Sequence, residues 1–279
     1  MKLYRSGEAL RQEIMQTRLP KSTAAIWALG QAGFWIQMEN KRLLIDPYLS
    51  NSINEASQGP WIRKFPPPLS PDSLPDMDAV LCTHHHDDHM DSATLKPLSE
   101  RQGTRFIIPR AHKERLLDWG FDSARMIGMN HLEVQLVNGL EIKAFAAMHD
   151  RFEQDEEGNH LFLGYIIRYG GLSIYHSGDT IGFPELVDWL KDEKVDIALL
   201  PINGRDYART AQGIVGNFNY REAADLAVAI GADLVIPMHF GMFPHNDENP
   251  AYFADYMYSR YPEQKFHMMT PGERFIYMK

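Results

Sequence analysis

The chain has 279 residues with a net charge of −9, 44% hydrophobic and 23% charged residues, the balance of an ordinary globular protein large enough to bury a core. The acidic balance and the lack of a basic run give no support to nucleic-acid binding, and the single cysteine, Cys82, excludes an internal disulfide. No stretch approaches the roughly 18 apolar residues of a membrane span, and the charged start "MKLYRSGEALRQEIMQ" lacks the apolar region of a signal peptide, so a soluble cytoplasmic protein is expected.

In chain order, residues 7–17 read as a short amphipathic helix with Leu10, Ile14 and Met15 on one face, inside an N-terminal extension over 1–20. Strands follow at 25–29, 34–38 and 42–45, punctuated by Gly30–Gly33, by Glu39-Asn40-Lys41 and by Asp46-Pro47. Residues 48–76 are proline-rich and aperiodic, which suggests a flap beside a functional site. A buried strand at 79–82 precedes a helix at 92–100, a strand at 106–108 and a helix at 112–119 closed by Gly120. Strands 133–137 and 140–146 form a hairpin around Asn138-Gly139, and strands 161–169 and 172–175 turn at Gly170-Gly171. Helix 184–191, strand 197–201, helix 220–230, strand 234–237, helix 252–260 and strand 275–278 complete the chain, with Asn219 and Glu222 in capping-box relation. Hairpins followed by alternating strands and helices, once in each half, predict an α/β protein: a four-layer αββα sandwich of two mixed sheets in one domain over 1–279.

The stretch "THHHDDHMD" (83–91) packs four histidines and three aspartates into nine positions. If His84 and His86 sit at a strand end, extended backbone points both rings the same way. Asp88 and His89 follow where the chain turns, while His85 and Asp87 are expected to face away. A metal turns the mutual repulsion of such a cluster into attraction and holds the imidazoles neutral. Three further polar residues follow apolar strands: His149 after "LEIKAFAAM", Asp179 after "LSIYHSG" and His239 after "LVIPM". Together they supply the histidines and the bridging carboxylate of a two-metal site. His176 reads as structural, and His112, His131, His160 and His267 as residues without a metal role. His245 is close enough to His239 to line a pocket. Trp27, Phe34 and Trp35, at strand spacing, read as core.

These motifs, in this order, resemble the metallo-β-lactamase superfamily over roughly residues 25–245. The resemblance implies that His84, His86 and His149 hold one ion, that Asp88, His89 and His239 hold the second, and that Asp179 bridges them. "LRQEIMQTRLPKSTAAIWALGQAGFWI", "THHHDDHMD", "LSIYHSGDT", "VDIALLPINGR" and "ADLVIPMHF" further resemble the bacterial L-ascorbate-6-phosphate lactonase family. This chain departs from it in being shorter and in its "AAMHDRF" segment. The family implies a metal-dependent hydrolase that opens a phosphorylated sugar-acid lactone by attack of metal-activated hydroxide. Asp88 would be the catalytic proton shuttle, with Mn2+ slightly favoured over Zn2+.

Substrate contacts are expected from the loop 203–219, at Asn203, Arg205, Tyr207 and Asn217, with Arg209 also in reach of a sugar or phosphate; arginine suits bidentate phosphate recognition. Arg63, Lys64 and Arg151 are weaker candidates. A small phosphodiester as substrate, and a catalytically silent metal-binding protein, are the alternatives. The expected partner is a small anionic molecule, with neither nucleic acid nor membrane expected and homo-oligomerisation open.

Overall fold

A computed structural model describes residues 2–56 and 61–279. The first sheet holds seven strands, β1 (Thr23–Gly30), β2 (Gly33–Met38), β3 (Lys41–Ile45), β4 (Ala79–Leu81), β5 (Phe106–Pro109), β6 (Met126–Met129) and, at the far edge, β14 (Arg274–Met278). Their order is β14-β1-β2-β3-β4-β5-β6, antiparallel up to β3 and parallel from there on. The second sheet is built from β7 (Val134–Val137), β8 (Leu140–Ala146), β9 (Leu163–Tyr169), β10 (Leu172–His176), β11 (Ile197–Pro201), β12 (Leu234–Met238) and β13 (Lys265–Phe266). It runs β13-β12-β11-β10-β9-β8-β7, parallel from β10 to β13 and antiparallel across the two hairpins.

The two sheets face each other across one apolar layer, in which Ile26, Ile36, Leu43 and Leu81 of the first meet Ile142, Ile167, Leu199 and Ile236 of the second. Alternate residues of the same strands point outward, to helices. Trp27 and Trp35, directly opposite one another, pack with Leu10 and Ile14 of α1 (Gly7–Gln16) and with Leu95 and Leu98 of α3 (Ser92–Ser99). Beyond the second sheet lie α5 (Pro184–Leu190), α7 (Tyr220–Ala229) and α8 (Pro250–Arg260), whose Leu186, Leu226 and Phe253 share a cluster with Tyr175 and Val235. This is the αββα sandwich that the pattern of elements predicts, with Trp27, Phe34 and Trp35 in the core.

Differences are local. β6 and β13 go unread in the sequence because "MIGM" and "KF" are too short to show a period. The proline-rich stretch carries a short helix, α2 (Ser52–Ala56), and a single 3-10 turn at 71–73; residues 57–60 of the expected flap lie outside the described residues. The helix expected over 112–119 forms as α4 (Lys113–Asp118), and a further short helix, α6 (Tyr207–Ala211), lies in the loop after β11 where none was expected. The capping box of α7 forms as expected: the Asn219 side chain accepts from the Glu222 N–H, and the Glu222 carboxylate accepts from the Asn219 N–H. Among the described residues no helix is long and apolar enough to cross a membrane.

Candidate metal centre

β4 ends at Leu81, before the histidine cluster begins. Residues 84–90 coil instead of extending, with the His89 and Met90 N–H groups both donating to the His86 carbonyl at 2.9 and 2.8 Å. His84 and His86 therefore converge through a turn, not through the two-residue strand period. The turn also brings His85 and Asp87 to the cavity beside the cluster, where they were expected to face away. The His85 ring packs 4.9 Å from that of His112, and Asp87 sits 3.7 Å from the Arg115 guanidinium. Asp91 ends the turn by capping α3, accepting from the Ala93 and Thr94 N–H groups.

The remaining candidates arrive from three strand ends of the second sheet: His149 after β8, Asp179 after β10 and His239 directly after β12. His239 has φ +60°, and its N–H donates to the Gln31 carbonyl at 2.8 Å, which turns the ring into the cluster. Asp179 lies at the centre. Its Oδ2 is 3.3 Å from His239 Nε2 and 4.0 Å from His84 Nε2, and its Oδ1 is 3.4 Å from His89 Nε2. Asp88 Oδ2 is 3.6 Å from His239 Nε2 and 3.7 Å from His89 Nε2.

Among the described residues, three sets offer ligand atoms within 4.8 Å of one another: Asp88, His89 and His239; His86, His149 and Asp179; and His84, His89 and Asp179. The first set is the ligand trio expected for one ion, and Asp179 occurs in the other two, as a shared carboxylate would. His84 groups with His89 and Asp179 rather than with His86 and His149, although its ring is only 4.5 Å from that of His86.

The chemistry of these atoms fits a divalent ion. His84 Nε2, His89 Nε2 and Asp179 Oδ1 are buried without a hydrogen-bond partner. Leaving such groups unmatched costs about 1–3 kcal/mol each, more when charged; coordination removes that cost. Burial lowers the pKa of His84 and His86 and pushes His149 down to about 4, so these rings are held in the neutral, ligating form. His89 is the opposite case. Burial works against its charge, but Asp179, Asp88 and Asp46 surround it and hold its pKa well above the usual histidine value. Burial would raise the Asp179 carboxyl, yet His239 and His89 outweigh it and keep Asp179 ionised.

A layer of further side chains fixes the candidate ligands. Asp46, with φ +44° at the end of β3, accepts from His89 Nδ1 at 2.7 Å and from the Thr83 N–H and hydroxyl at 2.7 and 2.6 Å. A carboxylate behind a ligating imidazole sets its tautomer and orientation. Gln31 Nε2 donates to Asp88 Oδ2 at 2.8 Å and lies 3.2 Å from His239 Nε2. Sequence reasoning missed both, since Asp46-Pro47 and the Gly30–Gly33 segment read as turns and no sequence signal marks either residue as facing the cluster. His176 is structural, as expected: Nδ1 accepts from the Gly178 N–H at 3.1 Å, so Nε2 carries the proton donated to the Ala32 carbonyl at 2.9 Å.

The cluster opens on a cavity of about 390 Å³. Ile53, Trp61, Ile214, Val215 and Phe243 give it an apolar wall, Asn246 stands beside them, and Arg115 is the one lysine or arginine among the described lining residues.

None of the four expected substrate contacts lines this cavity. Arg205 is closed on the Glu222 carboxylate by two 2.7 Å hydrogen bonds, and Tyr207 is 89% exposed. Asn203 and Asn217 are fully buried and bonded to each other at 3.1 Å. Arg63 is also occupied: Nε donates to the Phe65 carbonyl, the guanidinium lies 4.8 Å over the Tyr48 ring, and burial lowers its pKa to about 10. Lys64 pairs with Asp247 at 2.5 Å, and Arg151 and His245 are exposed. His112, His131, His160 and His267 hold hydrogen bonds to Leu161, Ala146, Gln154 and Glu273, outside the three ligand sets.

The family model described as beta-lactamase superfamily domain matches residues 41–240, which spans β3 to the residue after His239. The chain belongs to the beta-lactamase superfamily. Within the superfamily it is similar to a UPF0173 metal-dependent hydrolase of Caldivirga maquilingensis, at 28% identity over 88% of this chain and 94% of that protein. It is 25% identical to a probable L-ascorbate-6-phosphate lactonase of Escherichia fergusonii, over 88% of this chain and 77% of that one. In fold it matches Igni18, a metallo hydrolase of Ignicoccus hospitalis, with a TM-score of 0.69 at 24% identity over 92% of this chain and 99% of that one. This superfamily member is a metal-dependent hydrolase, and the donors described above are its candidate metal centre.

Proposed function

We propose that this hydrolase opens a lactone, with two divalent ions held by the cluster. The observation that carries the reading is the shared position of Asp179, which has candidate histidines on either side and faces the cavity. In this reading His84, His86 and His149 would hold one ion, Asp88, His89 and His239 would hold the other, and Asp179 would be shared by both. The donor set of nitrogen and oxygen suits Mn2+ as well as Zn2+; the likeness to the Escherichia fergusonii lactonase favours the lactone bond, and the preference for Mn2+ rests on the family resemblance of the sequence motifs alone.

Two such ions would supply Lewis acidity, lowering the pKa of water to about 7 and drawing off charge that develops on the substrate carbonyl oxygen. The chain supplies the rest. Asp88 takes the proton released by water and returns it to the leaving alkoxide, so that one water is consumed and one hydroxy acid formed. Gln31 fixes one Asp88 oxygen, at 2.8 Å, and leaves the other to carry the proton. A cavity of about 390 Å³ suits a small molecule. With Arg205 closed on Glu222, the phosphate of a substrate such as L-ascorbate 6-phosphate would rest against Arg115.

The test is hydrolysis by protein loaded separately with Mn2+ and Zn2+, with Asp88→Ala as the blank. The panel holds L-ascorbate 6-phosphate, unphosphorylated sugar lactones, an alkyl γ-lactone and a chromogenic phosphodiester. Lactone opening that is absent from the variant is the expected result. Phosphodiester cleavage without lactone opening would replace the reading by a phosphodiesterase.

A further inference from the structure

A chain of amides leads from the buried interior to the cavity wall. Asn217 Nδ2 donates to Asn203 Oδ1 at 3.1 Å, and Asn203 Nδ2 donates to Asn246 Oδ1 at 2.8 Å. Arg209 gives the chain its direction. Its Nη1 donates to the Asn203 carbonyl at 2.7 Å and reaches Asn246 Oδ1 at 3.5 Å. A guanidinium has donors only, so the oxygen of the Asn246 amide is the atom that turns inward. That leaves the amide nitrogen, with its two N–H donors, as the atom to turn toward the cavity that Asn246 lines.

The loop that carries Asn246 is held at both ends. The Asn246 N–H donates to the Phe243 carbonyl at 3.1 Å. Asp247 Oδ1 accepts from the Gly241 and Glu248 N–H groups at 2.6 and 2.8 Å, while its Oδ2 pairs with Lys64. Phe243 beneath it is buried against Tyr48, Phe65 and Met242. Hydrogen bonds thus hold both the backbone of Asn246 and its amide oxygen, in a wall otherwise made of Ile53, Trp61, Ile214, Val215 and Phe243. An oriented donor in an apolar wall selects for an oxygen acceptor on whatever lies against it.

We propose that Asn246 is a specificity-determining residue that donates a hydrogen bond from Nδ2 to an uncharged oxygen of the substrate, and that Asn203, Asn217 and Arg209 act as positioning residues that hold its amide in that sense. This deepens the proposed function, on which it rests for the bond cleaved. The substrate class it names is a lactone with a carbonyl, ether or hydroxyl oxygen set off the reacting centre.

The test compares wild type, Asn246→Ala, Asn246→Asp and Asn203→Ala, each loaded with Mn2+, on the best lactone of the panel and on its hydroxy-acid product as a binding probe. Asn246→Asp keeps the shape and the inward-facing acceptor but presents an acceptor to the cavity. We expect KM and the product Kd to rise about tenfold in Asn246→Ala, further in Asn246→Asp, and by less in Asn203→Ala. Metal content and Tm of Asn246→Asp should stay at the wild-type values. Wild-type constants in both Asn246 variants, or losses that follow only Tm or metal content, would overturn the proposal. If the wild type cleaves the phosphodiester and no lactone, the bond assignment fails and the variants are scored on that substrate by the same criteria; turnover of neither overturns both.

Discussion

His89 Nδ1 donates to Asp46 Oδ2 across 2.7 Å, and both side chains are fully buried. A carboxylate accepts here, so this bond keeps an imidazole proton on Nδ1 and aims Nε2 at Asp88 and Asp179; Nε2 offers its lone pair to an ion once it gives up the proton that the surrounding carboxylates favour. Thr83, donating to the same carboxylate through its N–H and hydroxyl, leaves Asp46 little freedom to leave His89.

Asp46→Asn keeps the volume but removes the charge that fixes the His89 tautomer. We expect metal affinity to fall about 10- to 100-fold, the range seen when the partner of a ligating histidine is lost. Competition with a chromogenic chelator measures it, and an unchanged affinity would remove Asp46 from the site.

Gly178 precedes Asp179 with φ +62°, and a Cβ there would stand 2.7 Å from the Leu163 carbonyl and 2.9 Å from Thr83 Cβ. Neither neighbour is the free end of a flexible side chain, so the backbone must move, and the central carboxylate moves with it. Gly178→Ala should cost upwards of about 1 kcal/mol in stability, combining the strained φ with overpacking, and should weaken metal binding as well. Denaturant unfolding of the metal-free protein separates the two effects. A variant with wild-type stability and affinity would mean that this turn has slack.

His131 gives a pH signature away from the cluster. Burial, with His160 and Lys143 nearby, pushes its pKa down to about 4, and its Nδ1 accepts from the Ala146 N–H at 3.0 Å, which requires an unprotonated nitrogen. The folded value lies below the unfolded one of about 6.5, so the unfolded chain binds more protons between them. The stability this residue contributes is therefore complete above about pH 6.5 and is lost as pH falls toward 4. In the metal-free protein, the fall in Tm over that window should be smaller in His131→Gln than in wild type. An NMR titration of His131 with a midpoint near 6.5 would contradict the assignment.

How far the site could be read from sequence follows from chemistry. Imidazoles and carboxylates dense enough to repel one another point to a cation wherever the fold puts them, so His84, His86, Asp88 and His89 stood out, and His149, Asp179 and His239 joined them by ending apolar strands. The structure brings all seven together. The backbone route was misread, because two-residue spacing in "HHH" imitates a strand while residues 84–90 turn. Asp46 and Gln31 were not legible, since an Asp-Pro and a residue between glycines look like ordinary turns until the fold aims them at His89 and Asp88. Asn203 and Asn217 were picked out as polar residues in a promising loop. What the sequence could not convey is that both are buried behind Asn246, in another loop, which alone of the three lines the cavity. Arg205 misled for a similar reason: its partner, Glu222, is the helical member of the capping box that opens α7.

The central claim is that these seven side chains hold two ions through Asp179. Metal content, measured on protein saturated with Mn2+ or Zn2+ and passed through a desalting column, tests it most directly. We expect two ions per chain in wild type and one or fewer in Asp179→Asn, because the amide cannot bridge two cations as a carboxylate does. A wild-type chain that saturates at a single ion, or an Asp179→Asn chain that still carries two, would contradict it.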